Sequence, residues 1–485
     1  MILDEQFFLG ALPKSSIYAY SDNSFSKVNF SDFSNVFDSN SEHFISIDSR
    51  TIKEDEIFLA LNGPNFDGHN FIVDALSSGA AGVIIEESKK GLLNFVSGQF
   101  LQEKPVIVVE DTSVALVEMA KYWRRKFDIN VLGVSGSVGK TTTKEMLGSI
   151  LRTAKIPSYV SYKNQNNIIG LCINILKLTS KHKIAVFELG INAVGEMDEL
   201  VEVLRPNVAA LTCITHAHVG GFGSLENIAS EKLKIFKHFS GGNIGVVFGD
   251  QQILSDANYN HPVVRFGFKK RNQIAAEKNI TFLHDKNNEI KGIKIFVKSY
   301  DETYSINLNV FNEVMINNAL AAIALSNILG ISIRDIVMGL ESFETLSGRF
   351  EKRILRENKG LLINDCYNAS PESMKDALLA FDKLKSNGPK IAVLGDMLEL
   401  GDKEKFWHKQ MGSFLCKATS VDHLILVGKQ AETIASTAPL TMKIECVEDW
   451  HAAKESLDKL LFADSLVLLK ASNAVGLSNI VEQIS

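Results

Sequence analysis

Residues 133–143 read GVSGSVGKTTT. The preceding stretch NVLGVSG is apolar enough for a buried strand. The following TTKEMLGSILRTAK opens on polar threonines and continues with apolar residues at helical spacing. A strand running through a Gly-rich loop into a helix is the setting in which backbone N–H groups gather phosphate oxygens. The spacing is irregular: the usual loop starts with Gly five places before its Gly-Lys pair, whereas Val134 stands there and Gly133 lies one place earlier. Gly136 and Gly139 still let the backbone approach a phosphate, and Lys140 supplies a point charge. The Thr141 hydroxyl is a Mg²⁺ ligand of the type such loops use. The alternative is a Gly-rich turn with a surface lysine.

Outward from the loop, KIAVFELG and NVAALTCIT read as further buried strands separated by helical segments. Strands alternating with helices imply a parallel, doubly wound sheet, so the fold class is α/β. Residues 262–310 look different: VVRFGF, IKIFVKS and TYSINLNV read as a small β insertion with polar turns. From Ser347-Gly348-Arg349 onward, GLLINDCYN, KIAVLGDM, HLILVGK and SLVLLKAS are four strand candidates of a second, Rossmann-like α/β unit, whose ligands belong at the strands' carboxyl ends. The first hundred residues carry short β-like runs, HFISIDSR and AAGVIIEE, around a helical FIVDALSSGA. VIVVE and the amphipathic SVALVEMAKYWRRKF follow. At 485 residues, about three domains are expected: 1–127, 128–345 and 346–485.

A net charge of −6 argues against nucleic acid as the main partner. Anionic ligands must therefore be gathered by local donors. Five scattered cysteines without a C-x-x-C pair suit a reduced, cytoplasmic protein. The acidic start MILDEQFF is not a signal peptide. No apolar run reaches the roughly 20 residues a membrane helix needs, and ALAAIALSNILG reads as a buried helix.

The loop Gly-x-x-Gly-x-x-Gly-Lys-Thr-Thr-Thr resembles the ATP loop of the Mur ligases and the related folylpolyglutamate synthetases, which are ATP-dependent amide-forming enzymes. The resemblance extends over nearly the whole chain. It implies ATP contacts from Gly136, Ser137, Gly139, Lys140, Thr141 and Thr142. Residues 45–85 resemble the family's uridine-nucleotide-binding domain, with Ser49 and Arg50 on a DSR element and His69 on a DGH element. A hydroxyl and an arginine fork suit a diphosphate or a uracil edge. YKNQNNIIG resembles GNxNNxIG, with Lys163 where Gly is usual. Asn164 and Asn167 then face substrate, or else form a polar turn capping the next helix.

Glu188 falls on the family's E-x-G element and His218, rather than His216, on its AHLExFGS element, both as metal ligands. In the same region Cys213 and Gly220 replace a usual Asn and Glu. Lys232 aligns with the lysine the family carbamylates, an anion for a second Mg²⁺. This chemistry needs a neutral amine and hence burial or a nearby cation. Lys234 takes a usual Glu position. Asn318 matches an adenine contact, while Val314 and Met315 replace a usual His-Asn. Arg349 matches the arginine that the C-terminal domain brings to the phosphates. INDCYNASPESM resembles DDxYNANPxSM, the motif of the member that adds D-alanyl-D-alanine to UDP-N-acetylmuramoyl-tripeptide. Asp365 would hold the ATP ribose, and Tyr367, Asn368 and Ser370 would meet the dipeptide. Asn364 replaces the first Asp, and Asn473 a usual Arg. The resemblance implies a monomeric, three-domain ligase: an N-terminal uridine-nucleotide domain, a central P-loop ATPase domain and a C-terminal Rossmann-like domain. Lys140, Glu188, His218, Lys232 and Arg349 carry its chemistry. Another amino-acid ligase of the superfamily, or a nucleotide-sugar-binding regulator without catalysis, remains an alternative.

Overall fold

Continuous apolar strands buried on both faces organise the computed structural model. It describes residues 3–21, 24–33, 36, 44–63, 66–217, 219–284, 290–310, 312–417 and 420–485. They form two units, Met1–Gly133 with Pro157–Gly190 and Glu196–Pro206, and Val134–Ile156 with Ile191–Gly195 and Asn207–Ser485.

The first unit contains a six-stranded sheet in the order Ser24–Val28, Ser16–Ser21, Val106–Val109, Gly82–Glu86, Ile57–Leu59, Ile45–Ser46. The last four strands run parallel, and the first two form an antiparallel hairpin set antiparallel against Val106–Val109. The sequence pattern announces Gly82–Glu86, Val106–Val109 and the helix Ile72–Ser77, but not the hairpin. Among the described residues of HFISIDSR, only Ile45–Ser46 is strand. Asp48 then turns the chain by accepting the Arg50 N–H at 3.0 Å. Helix Thr112–Arg124 is capped by Asp111, which accepts from the N–H groups of Ser113 and Val114. It packs on helices Ile168–Ile175 and Glu196–Leu204, and Trp123 Nε1 donates to the Leu178 carbonyl at 3.0 Å. In this unit Ser158–Val160 pairs in parallel with Ile184–Glu188, whose last residue is Glu188.

In the second unit, Val208–Leu211, Ile244–Phe248, Val263–Gly267 and Ile274–Ala276 pair in parallel in that order. The strands Thr281–His284, Ile290–Ser299 and Glu302–Leu308 extend the same sheet antiparallel. The expected insertion at 262–310 is therefore no separate piece. Its first two strands continue the parallel sheet, and only its later strands reverse direction. Helix Glu313–Ile328 buries Ala319–Leu325 completely. Among the described residues no helix is long and apolar enough to cross a membrane.

The C-terminal sheet runs Glu351–Ile354, Gly360–Asn364, Ser465–Lys470, Lys390–Gly395, His423–Val427, Lys443–Val447. All but the first strand are parallel. The four anticipated strands are its centre, and Glu351–Ile354 and Lys443–Val447 are unanticipated edges. Val467 and Leu469 pack with Ile391, Val393 and Ile425 in its core. Leu469→Ala is expected to cost about 2–5 kcal/mol in urea unfolding. A loss under about 1 kcal/mol would mean that this core collapses around the gap.

Candidate active site

The strand Asn130–Ser135 feeds the loop, and the helix Lys140–Thr153 leaves it. Gly139 is the N-cap, in the left-handed region at φ 89°, and no side chain among the described residues caps this helix. A Cβ at Gly139 would collide with Asn318 Oδ1, and one at Gly136 (φ 140°) with Thr212 Oγ1. The loop is pinned from residues 212–215: Ser137 N–H donates to the Cys213 carbonyl at 2.7 Å, Thr212 Oγ1 to the Val138 carbonyl at 2.5 Å, and Thr215 N–H to Ser137 Oγ at 2.9 Å. Lys140 Nζ folds back onto the carbonyls of Gly136 (3.0 Å) and Ser137 (3.2 Å). Thr141 and Thr142 are buried in the first turn. The result is a helix N-terminus whose leading amides and lysine all belong to one tight turn, a fitting anion receptor.

The C-terminal part reaches this loop. Arg349 donates to Thr141 Oγ1 at 2.8 Å and lies 3.9 Å over the Tyr367 ring. Its turn is braced by Glu351, whose Oε2 accepts from Ser347 Oγ, the Gly348 N–H and Asn364 Nδ2. Burial raises the Glu351 carboxyl, but Arg353, Gly348 and Asn364 outweigh it and hold it below 4.5. Asp365 accepts from the Phe350 N–H at 3.0 Å and pairs with buried Lys470 at 2.6 Å. Burial pushes the Asp365 carboxyl up from 3.8, against the pull of Lys470 and Phe350. Lys470 also donates to the Asn368 carbonyl at 3.1 Å. Ser370 caps helix Pro371–Lys383 in a capping box with Ser373.

Beside the loop lies a cavity of about 350 Å³ lined by Val138, Phe248, Phe266, Val314, Asn318 and Glu372, among others. Asn318 is buried and donates weakly to Met315 Sδ at 3.9 Å. His216 Nδ1 meets Glu372 Oε1 at 2.6 Å, and its ring lies 4.6 Å from Trp407. Half-buried Cys213 also lines the cavity, and desolvation pushes its thiol up. Lys232 is 1% exposed in the last turn of helix Leu225–Leu233. Nearby in sequence, Glu231 pairs with Lys234 at 2.7 Å and accepts from the Gly195 N–H. His218 lies outside the described residues.

In the first unit, Ser49 is buried, and exposed Arg50 forks onto Asp48 at 2.8 and 2.7 Å. His69 is buried with both ring nitrogens engaged: Nε2 accepts from the Glu86 N–H at 3.0 Å, so Nδ1 carries the proton shared with Asp67 Oδ1 at 2.6 Å. Asp67 also pairs with Lys89 at 2.7 Å. Burial raises its carboxyl, but the Lys89 and His69 hydrogen bonds win and bring it down to about 2. Asn167 caps helix Ile168–Ile175 through the Gly170 N–H, Asn164 is exposed, and Asn166 Nδ2 donates to Glu188 Oε1 at 2.8 Å. Glu188 is 2% exposed.

Three family models match the chain: "Mur ligase family, catalytic domain" over residues 42–124, "Mur ligase middle domain" over 134–326 and "Mur ligase, glutamate ligase domain" over 348–473. The chain belongs to the Mur ligase family. It is 33% identical over 449 residues to the UDP-N-acetylmuramoyl-tripeptide–D-alanyl-D-alanine ligase of Bacillus subtilis, covering 91% of this chain and 93% of that one. The Escherichia coli protein of the same name is 30% identical at 91% and 93% coverage. Among solved structures, MurF from Acinetobacter baumannii superposes with a TM-score of 0.81 at 27% identity, covering 99% of this chain and 98% of that one. The MurF ligase from Thermotoga maritima in complex with ADP gives 0.76 at 27% identity, with 91% and 96% covered.

Of the residues expected from the Mur ligase motifs, the structure groups Gly136, Ser137, Gly139, Lys140, Thr141, Asn318 and Arg349 around the loop, with Tyr367 beneath Arg349. Asp365, Asn368 and Ser370 follow on the C-terminal sheet and helix. Ser370, Asn167 and His69 also serve as local braces. Thr212, Glu351, Glu372 and Lys470 escape the sequence reading. Thr212, Glu372 and Lys470 do lie within the quoted stretches NVAALTCIT, INDCYNASPESM and SLVLLKAS, but nothing in those patterns singles them out.

Two outcomes are expected. Gly139→Ala, which needs a left-handed backbone and strikes Asn318, weakens ATP binding by calorimetry at least about tenfold. Asp67 has a folded pKa below its ordinary 3.8, so its stabilisation is in place above that value and drains as the pH falls towards about 2. Asp67→Asn should therefore lower the melting temperature at pH 6, with the gap to the natural chain narrowing at pH 3. A gap that widens on acidification refutes this assignment.

Proposed function

We propose that the chain joins D-alanyl-D-alanine to UDP-N-acetylmuramoyl-tripeptide with ATP, through an acyl phosphate, in peptidoglycan precursor synthesis. Membership of the family and the names of the full-length relatives support this. One observation carries it: Arg349, from the C-terminal part, donates to Thr141 in the first turn of the Gly139 loop. A phosphoryl-transfer centre assembled from two modules needs this arrangement.

A carboxylate is a poor acyl donor, because oxide would have to leave. Its oxygen attacks the γ-phosphorus of ATP and ADP departs, leaving an acyl phosphate. The dipeptide amine then attacks the acyl carbon, and phosphate leaves as the amide forms. Two anions meet in the first step, so the Lys140 ammonium and Arg349 guanidinium offset their repulsion. The cavity beside Val138 and Asn318 takes the adenine, and Asp365, fixed by Lys470 and Phe350, takes the ribose. The oxygens of Thr141 and Glu188 are hard donors of the kind Mg²⁺ prefers, and in this reading His218 and carbamylated Lys232 complete the holders of two ions. Bound Mg²⁺ supplies charge neutralisation at the transferring phosphate. Carbamate formation would require the neutral amine of Lys232, which is buried.

Ser49, Arg50, His69, Asn164 and Asn167 serve the UDP-precursor side, with His69 acting through the turn it braces. Tyr367, Asn368 and Ser370 serve the dipeptide side. The reading divides the chain at 1–127, 128–345 and 346–485, which the matched ranges support. It places a monomer in the cytoplasm, with no nucleic acid and no membrane insertion.

Phosphate release with ATP, Mg²⁺ and UDP-N-acetylmuramoyl-tripeptide is expected to require D-alanyl-D-alanine. Release with L-lysine, diaminopimelate or glutamate instead would move the chain to another amino-acid ligase. Tight binding of ATP and precursor without ADP formation would make it a regulator. Lys140→Ala and Arg349→Ala should each lower kcat at least about a hundredfold.

A further inference from the structure

Two acceptors in the cavity beside the loop make no hydrogen bond among the described residues: Glu372 Oε2 and Asn317 Oδ1, both buried. Glu372 sits in the first turn of helix Pro371–Lys383. Its other oxygen, Oε1, receives His216 Nδ1 at 2.6 Å, and His216 is backed by the Trp407 ring. The carboxylate is thus clamped at one oxygen, and the second, on a residue that lines the cavity, has no donor among the described residues. A buried acceptor without a donor is costly, and a ligand bearing N–H groups relieves that cost.

Other polar side chains also line the cavity: Gln251, whose amide is spent at both ends on the Ile214 backbone, Asn318, which donates to Met315 Sδ, and Asp376. Val138, Ile214, Phe248, Phe266 and Val314 offer only apolar surface to a flat ring. Adenine carries its one donor cluster on the base edge as the N6 amine. A purine without that amine, or with an oxygen at that carbon, would bring no donor there and leave the acceptor bare. Resting on the reading that this cavity receives the base, we propose that Glu372, held by His216, selects adenine by accepting from its exocyclic amine, with Asn317 Oδ1 as a second acceptor in the same cavity.

The test is the ratio of KM for purine riboside 5′-triphosphate, which lacks the amine, to KM for ATP, measured by phosphate release with both other substrates saturating. The natural chain is expected to give a ratio of about ten or more. Glu372→Ala should bring the ratio close to one, while Glu372→Gln, which keeps a carbonyl acceptor, retains part of it. His216→Ala, which unclamps the carboxylate, should lower it. A natural-chain ratio near one overturns the proposal without any variant, and so does a ratio unchanged in Glu372→Ala. If ATP yields no ADP with all substrates present, the ligase reading itself fails. ADP formed with no discrimination defeats only the role of Glu372.

Discussion

A helix that begins at a left-handed glycine begins without a side-chain cap, and the rest of this site follows from that. Helices elsewhere in the chain are closed by Asp111, Asn167, Ser224, Asn312 and Ser370. The helix Lys140–Thr153 starts at Gly139 instead, so its leading amides point out of a turn too tight for a cap. The tightness comes from the surroundings. Thr212 leaves no room for a Cβ at Gly136, and Asn318 leaves none at Gly139. The uneven spacing of the glycines thus matters less than their two positions, because each lies where another segment presses against the backbone. A concentration of partial positive charge then waits for an anion, and Lys140 and Arg349 add to it.

Much of this was legible in the sequence, and the failures share a cause. The strand–loop–helix and the four central C-terminal strands announced themselves because strands buried on both faces are continuous apolar runs. The edges were silent. Glu351–Ile354 is half-buried and Lys443–Val447 largely exposed, both mix charges with apolar residues, and the paired strands Ser16–Ser21 and Ser24–Val28 are rich in tyrosines and serines. Polar turns around Val263–Gly267 disguised a strand of the main sheet as an insertion. In the site, residues carried by motifs were found. Residues that act by meeting a distant partner were missed: Lys470 reaches Asp365 across 105 positions, and Glu372 reaches His216 across 156. No local pattern encodes such pairs.

The departures from family motifs make physical sense where they can be seen. Asn364 stands where the motif has Asp, and its amide donates to Glu351 Oε2 at 2.9 Å. A carboxylate there would confront a carboxylate that is already held ionised by Arg353 and Gly348. The amide also accepts from the Cys366 N–H through its oxygen, so both ends are used. The substitution therefore braces the turn that aims Arg349. Met315, in place of a usual Asn, lets Asn318 rest its amide on sulfur while Asn318 Oδ1 faces Gly139.

The pair of half-buried Asp365 and buried Lys470 shows what such arrangements are for. Two charges taken out of water gain little net stability from each other, and an apolar pair of equal volume would do as well. Losing one partner, by contrast, strands the other and costs about 3–5 kcal/mol. Lys470 spans Asp365 and the Asn368 carbonyl, and Asp365 spans Lys470 and the Phe350 N–H next to Arg349. The pair therefore ties the arginine turn, the central strand and the segment before helix Pro371–Lys383 into one body. Displacement of any one of these elements has to break a charge-assisted bond in a poorly solvated place. That is a stiff mounting for an arginine that must meet a phosphate at fixed distance, and it explains why the charges persist where greasy side chains would have been cheaper to bury.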